Sequence, residues 1–444
     1  MADVFPFRAL RYDLSKVSPA EVITQPYDKI SPSMQDRYYA SNAYNLVRII
    51  LGKAKPGDDE QDNVYTRAAD FLQQWRSEGV LVRDNEPSIY LYTQAFKDPG
   101  DRSGATVERR GFIALGQLED YGRKVVFRHE QTLSKPKADR LNLLRATRAH
   151  FGQIFVLYSD PAAEIDGALR QAAPPTVELR DEYDVLHRMW KISEPSLIQA
   201  VQAGMCDKKL IIADGHHRYE TALTYRNEMR QRYGSDPHSP HECVMMTFVN
   251  MDSPGLVILP THRVVFGIDN FSIFDMFSKL REYFDIEEIG AVFDLERDLE
   301  RLREAGNDRT ALLAITSHGG FLLRSRPGMP ANRMGDFSER QRALDVVQLH
   351  KLVLEGTLGM SESDIRDQKH LKYVREAHEA VDEVRRGANV AFLMNPVRMT
   401  QVRDIAFAGE VLPQKSTDFY PKLLSGLTVY SLEEAAPSSA SGGH

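Results

Sequence analysis

The chain is poor in cysteine: Cys206 and Cys243 are the only two in 444 residues. A disulfide-stapled scaffold of this length needs many more, and two thiols fall short of a four-ligand zinc site. Both are expected as reduced residues of the core. Long apolar runs are missing too. None approaches the roughly 20 residues that span a bilayer. The first ten residues also lack a basic start followed by an apolar stretch, so a cytoplasmic chain without a signal peptide is expected. There is no basic excess: 56 Lys and Arg stand against 63 Asp and Glu, a net charge of -7, which argues against a protein that coats nucleic acid. No repeat of fixed period exists to build a solenoid.

What is present is an ordinary globular balance, 42% hydrophobic and 27% charged, long enough for two or three compact units. Helical and strand periods alternate. Val64, Ala68, Phe71, Leu72 and Trp75 share one helical face, and Gly79 follows where such a helix stops. Strands are expected at 88–92, 111–115, 125–127, 153–158, 186–192, 209–213, 243–249, 311–315 and 390–393. Helices are expected at 142–149, at 195–202, after Asp214, twice beyond Phe271, and around 344–354 and 373–384. The polar stretch 324–336 reads as a boundary or long loop.

The densest chemistry lies in Lys209-Leu-Ile-Ile-Ala-Asp-Gly-His-His-Arg218. An apolar strand stops at Ala213 and a helix starts near His216, leaving Asp214-Gly215 as the turn. Gly215 can take a positive φ, and Asp214 is suited to cap the helix. A helix N-terminus favours an anion, and His216, His217 and Arg218 add donors in its first turn, so the element suits phosphate. Asp214 beside phosphate requires either a bridging Mg²⁺ or a substrate hydroxyl. The bland alternative is a capped helix with two nearby histidines.

Four further clusters stand out. Arg128-His-Glu-Gln-Thr132 offers Glu130 as a general base, with Arg140 and neighbouring lysines downstream for anionic oxygens. Gln25-Pro-Tyr-Asp28 and Asn45 are turn-like and polar. Leu259-Pro-Thr-His-Arg263 puts His262 and Arg263 at the end of an apolar run. Pro413-Gln-Lys-Ser-Thr417 lacks the glycine lead of a Walker loop but can still hold an anion through Lys415, Ser416 and Thr417.

In this order, Pro6-Phe-Arg-Ala-Leu10, Pro26-Tyr-Asp28, Asn45, His129-Glu130, Ala213 to Arg218, Leu259 to Arg263, Pro413 to Thr417 and Phe419-Tyr-Pro-Lys422 resemble the bacterial and archaeal domain-of-unknown-function family ten-fifteen. The Asp-Gly-His-His-Arg element is also similar to the phosphate-binding turn of the ParB and sulfiredoxin fold, whose chemical relatives include free-serine kinases. The resemblance implies an α+β fold: a ParB/sulfiredoxin-like mixed-sheet core with flanking α/β regions. Residues 1–84 would be an N-terminal region contributing to the site, 85–330 the core, 331–430 a C-terminal α/β region, and 431–444 a disordered tail.

The implied activity is Mg²⁺-dependent phosphoryl transfer from ATP, ADP or pyrophosphate to a small hydroxyl substrate, L-serine first. Glu130 would be the base, and Asp214 would hold Mg²⁺ or orient the acceptor. Gly215, His216, His217, Arg218, Lys415, Ser416 and Thr417 would surround the donor phosphates, with Asp28, Asn45, Arg140, His262 and Arg263 on the substrate side. Two other classes compete. One is a nucleotide-dependent ParB-like clamp, disfavoured by the acidic charge and the lack of an evident helix-turn-helix. The other is a metal-dependent hydrolase drawing ligands from Asp214, His216, His217, His129, Glu130 and His262. A small-molecule partner is expected, without membrane or nucleic acid.

Overall fold

The structure is a computed structural model that describes residues 2–100, 104–130, 135–170, 173–290, 294–328 and 331–433. The chain divides into two compact units, one formed by 1–128, 132–257 and 421–444, the other by 129–131 and 258–420. Both mix helix and strand, so the protein is of the α+β kind. Among the described residues no helix is long and apolar enough to cross a membrane.

The first unit is organised on a mixed sheet of nine strands among the described residues. In spatial order these are Val126–Phe127, Leu210–Asp214, Ile154–Tyr158, Cys243–Asn250, Thr106–Gln117, Ile89–Lys97, Leu186–Ile192 and Val177–Arg180, with Val4–Phe5 pairing onto Thr106–Gln117. Leu210–Asp214 runs parallel to Val126–Phe127 and antiparallel to Ile154–Tyr158, which is parallel to Cys243–Asn250. Every residue of Cys243–Asn250 is buried, the polar Thr247 and Asn250 included, so both faces of this mostly apolar strand are covered.

Alternation splits the sheet into two faces. Ile154, Val156 and Tyr158 join Phe112, Val244, Met246, Phe248, Leu210 and Ile212 in the main core, onto which the helices Pro195–Met205 and His216–Tyr233 pack Val201, Met205, Tyr219 and Ala222. Gln153, just before the strand Ile154–Tyr158, is a buried polar side chain. The helix Val64–Ser77 forms where spacing predicts, closed by an Asn63–Thr66 capping box and burying Ala68, Leu72 and Trp75.

The second unit holds an antiparallel sheet of six strands among the described residues, in the order Phe284–Gly290, Gly319–Ser325, Ala311–Thr316, Val390–Met394, His262–Val265 and Leu371–Val374. Ala380, Val381 and Val384 of the helix Ala377–Arg385 pack on Leu313, Ile315 and Leu393.

Several expectations are corrected. Tyr373 opens no helix: it lies in Leu371–Val374, paired with His262–Val265, and the helix starts only at Ala377. His262 and Arg263 do not end the apolar strand Val257–Leu259: they open a strand of their own, His262–Val265, and both are buried. Cys243 is buried as expected, but Cys206 is exposed, because it caps the C-terminus of Pro195–Met205. The expected disordered tail lies, from 434 onward, outside the described residues.

Candidate active site

The strand Leu210–Asp214 loses its regular register against Ile154–Tyr158 between Ile212 and Asp214. Such an irregularity re-aims the side chains beyond it. Gly215 then turns the chain with φ +93 and is the N-cap of the helix His216–Tyr233. Only glycine adopts this conformation cheaply, and an added Cβ would meet the Arg218 guanidinium at 3.1 Å.

Asp214 does not cap the helix. Its Oδ2 accepts from Arg218 Nη2 at 2.6 Å, one turn further on, and its Oδ1 accepts from Lys422 Nζ at 3.1 Å. Burial by itself would raise the Asp214 carboxyl. Lys422 and Arg218 outweigh it, Lys29 adds to them, and the group is held well below the ordinary carboxylate range. Arg218 Nη1 also donates to the Gln153 carbonyl oxygen, which locks the guanidinium against the neighbouring strand.

Lys422 is positioned by the sheet. Gln94 Nε2 donates to the Lys422 carbonyl oxygen at 2.9 Å, and the fully buried Arg109 donates both to Gln94 Oε1 and to the Pro421 carbonyl oxygen. Arg109 stacks over Phe155, 4.7 Å from the ring centroid. Gln94 thus ties a strand residue to the lysine that faces Asp214.

The Gln25-Pro-Tyr-Asp28 turn joins this group through Tyr27, which shares a cavity wall with Arg140 and Arg218; burial raises its phenol, Asp28 and Asp214 add to the rise, and Arg218 and Arg140 oppose it. Arg140 lies over the Tyr27 ring at 4.0 Å and donates to the Ile50 carbonyl oxygen at 2.7 Å. Tyr27, Arg140 and Arg218 line a cavity with about 70 Å³ open to water, whose other walls include His150, Thr221 and Ser425. Burial lowers His150 to about 4, leaving it neutral at physiological pH. Thr221 Oγ1, on the cavity wall, is buried without a hydrogen-bond partner among the described residues, as are both polar ends of the Gln153 amide, which lies outside that wall. Orphaned polar groups of this kind call for an explanation, and a bound polar ligand is one.

Arg140 and Arg218 therefore share one cavity wall with Tyr27, Arg218 is paired with Asp214 beside Gly215, and His216 and His217 form the first residues of the helix; Asp28 follows Tyr27 in the chain. Asn45 does not join them. It is fully buried, with its amide donating to the Glu21 carbonyl and Ser41 Oγ and accepting from Val47 N, so it holds a turn together.

Glu130, Lys415, Ser416, Thr417, His262 and Arg263 belong to the second unit. There Glu130 Oε1 accepts from Ser416 N at 3.0 Å, Thr417 N at 2.9 Å and Thr417 Oγ1 at 2.9 Å. An oxygen taking three donors is a loop anchor more than a poised base. His262 Nδ1 accepts from Met394 N at 3.1 Å, and burial together with Arg263 lowers the imidazole to about 3. It carries no positive charge for an anion at neutral pH.

Mg²⁺ takes oxygen ligands in near-octahedral array. Both Asp214 oxygens already accept from cations, and among the described residues no three His, Cys, Asp or Glu side chains converge as a metal site. Asp214 as placed does not fit the role of a Mg²⁺ ligand.

Sequence reasoning missed Lys422 as the partner of Asp214, choosing Lys415, and it missed Tyr27 and Gln153. Lys422 carried a signal, since it closes the Phe419-Tyr-Pro-Lys motif, but nothing in the spacing said which lysine reaches the turn.

The family model described as "Protein of unknown function (DUF1015)" matches residues 4–347. The chain belongs to the DUF1015 family. The match covers the whole Asp214–Arg218 turn of this DUF1015 protein and ends before Lys422. No curated protein matches the sequence. Solved structures similar to this DUF1015 chain include a conserved hypothetical protein from Pyrococcus furiosus, at 14% identity and TM-score 0.35, covering 72% of this chain and 96% of that one. A free serine kinase variant in complex with ADP is similar at 12% identity and TM-score 0.34, over 71% and 92% of the two chains. SbnI with a C-terminal truncation, from Staphylococcus aureus, is similar at 11% identity and TM-score 0.35, over 72% and 89%.

Proposed function

We propose that the Asp214–Arg218 turn is a phosphoryl-transfer site, acting on a small hydroxyl substrate with L-serine as the first choice and ATP, ADP or pyrophosphate as donor. One observation carries the reading: Asp214 is a permanent anion held between Lys422 and Arg218 at the head of a helix that starts on a left-handed glycine. The donor phosphates would lie against the first-turn amides of that helix, where the dipole favours negative charge. The ParB/sulfiredoxin-like character of the turn belongs to the same proposal.

Phosphoryl transfer passes through a loose transition state with charge spread over the equatorial oxygens, so catalysis is mostly positioning and electrostatic stabilisation. Arg218 and Lys422 supply that charge, and Asp214 keeps both cations aimed. With its carboxyl held so low, Asp214 is a poor proton acceptor but a good hydrogen-bond acceptor for a substrate hydroxyl, whose proton would pass late to an oxygen of the transferred phosphoryl group or to water. Arg140 over Tyr27 would anchor the acceptor's carboxylate, and Asp28 its ammonium. His216 and His217 would donate to donor oxygens. Any Mg²⁺ would be brought by the donor, and no step is assigned to it. Glu130 is assigned a positioning role in the Ser416–Thr417 loop. The test incubates the full chain with L-serine, Mg²⁺ and each donor in turn and assays phosphoserine. Phosphoserine that disappears in Arg218→Gln supports the reading, and none with any donor overturns it.

A further inference from the structure

A second cavity, wholly inside the second unit, is separate from the turn at Asp214. It has about 150 Å³ open to water, and its walls include Arg263, Asp345, Asn395, Arg398, Gln401 and Ser416. Arg263 is 1% exposed. Its guanidinium donates to the carbonyl oxygens of Thr261 and Lys415 and lies 4.9 Å from the centroid of Tyr373. No carboxylate lies within ion-pair distance of it among the described residues, and its Nε has no hydrogen-bond partner. The carboxylate that acts on it electrostatically, Glu130, is already engaged by Ser416 and Thr417. A buried cation left this way costs several kcal/mol of desolvation, roughly, and an anion in the cavity would offset that cost.

An independent feature points the same way. The nine-residue helix Met399–Phe407 begins at this cavity, with Pro396, Arg398 and Gln401 in the wall. Its N-terminus favours negative charge. Arg398 makes no ion pair among the described residues, whereas Arg303, also on the wall, is paired with Glu300.

The cavity is not a plain anion hole, because Asp345 shares it, with Thr310 and Arg398 favouring its charged form but in no ion pair among the described residues. Two guanidinium groups, neither in an ion pair among the described residues, and one carboxylate suit a ligand carrying two negative charges and one positive. The open volume of about 150 Å³ suits a small molecule.

We propose that this cavity binds a small acidic α-amino acid, its carboxylates on Arg263, Arg398 and the start of Met399–Phe407, and its ammonium on Asp345. Asn395, Gln401 and Ser416 would supply the remaining polar contacts. The site is independent of phosphoryl transfer at Asp214.

Calorimetric titration of the full chain with L-aspartate, L-glutamate, succinate, L-alanine and inorganic phosphate tests it. The expected result is binding of L-aspartate or L-glutamate at least tenfold tighter than succinate, which lacks the ammonium, and than L-alanine, which lacks the second carboxylate. Asp345→Asn should abolish the preference over succinate, and Arg398→Gln should weaken L-aspartate tenfold or more. Melting curves would confirm that both variants are folded, and Arg263 is left intact because its loss risks unfolding. Absence of amino-acid binding, or equal binding of succinate or phosphate that Asp345→Asn leaves unchanged, overturns the proposal.

Discussion

Lys422 Nζ lies 3.1 Å from Asp214 Oδ1, across 208 residues of sequence, and the two form one ion pair of the first unit. Replacing Lys422 with Met removes a cation and leaves Asp214 to Arg218 alone. Turnover in the phosphoserine assay should fall on the order of 10²- to 10³-fold, the usual loss for a group that stabilises transition-state charge. A carboxyl depressed in the folded state contributes stability above its unfolded value of about 3.9, and that stability is lost as pH falls through the folded value. In Lys422→Met the Asp214 value rises, so acid unfolding should begin at higher pH. An unchanged acid limb would show that the pair contributes nothing to stability.

Gly215→Ala should destabilise by about 1–2 kcal/mol from the left-handed backbone alone, with crowding of Arg218 added. Denaturant unfolding measures it. Gly122→Ala is the control, since φ there is not positive and an added Cβ meets nothing within 4 Å.

Glu130→Ala and Glu130→Gln separate a loop anchor from a general base. An anchor predicts faster hydrogen exchange at the Ser416 and Thr417 amides in Ala, partly restored in Gln, whose carbonyl still accepts. A base predicts that both variants lose activity equally while exchange at those amides is unchanged in Gln.

Burial pushes the Asp345 carboxyl up to about 7, with Thr310 and Arg398 offsetting only part. The folded protein therefore keeps a proton that the unfolded chain releases above about 3.9. Stability should fall as pH rises from about 4 to 7 and level off beyond. Asp345→Asn should flatten that slope. At pH 8 it should gain on the order of 1–2 kcal/mol, a figure discounted from the full shift because the side chain keeps some contact with water. At pH 4 it should match the wild type, and thermal melts at the two pH values decide.

Cys206 is exposed, while burial pushes the Cys243 thiol up to about 12. A thiol reagent at pH 8 should label one cysteine in the native protein and two after denaturation. Rapid labelling of both in the native state would contradict the burial of Cys243.

Local patterning carried much of this fold. Leu186–Ile192 forms the strand its β-branched and aromatic residues predict, and Val64–Ser77 buries the face its spacing marks. The turn at Gly215 was legible because a left-handed conformation between an apolar strand and a helix selects glycine. Tyr373 misled because a four-residue strand and the start of an amphipathic helix share the same short-range composition, and only pairing with His262–Val265 separates them.

By itself, the sequence determined the family, the mixed α and β character, and the turn from Asp214 to Arg218, since each rests on residues adjacent in the chain. Tertiary structure decided what Asp214 does there. A helix cap is a local possibility for any aspartate before a helix, but a carboxylate takes the strongest donors within reach. Those are Arg218, one turn on, and Lys422, held in place by Gln94 and Arg109. Tertiary structure likewise left Arg263 buried without a carboxylate partner among the described residues, because charge compensation depends on which side chains meet in space.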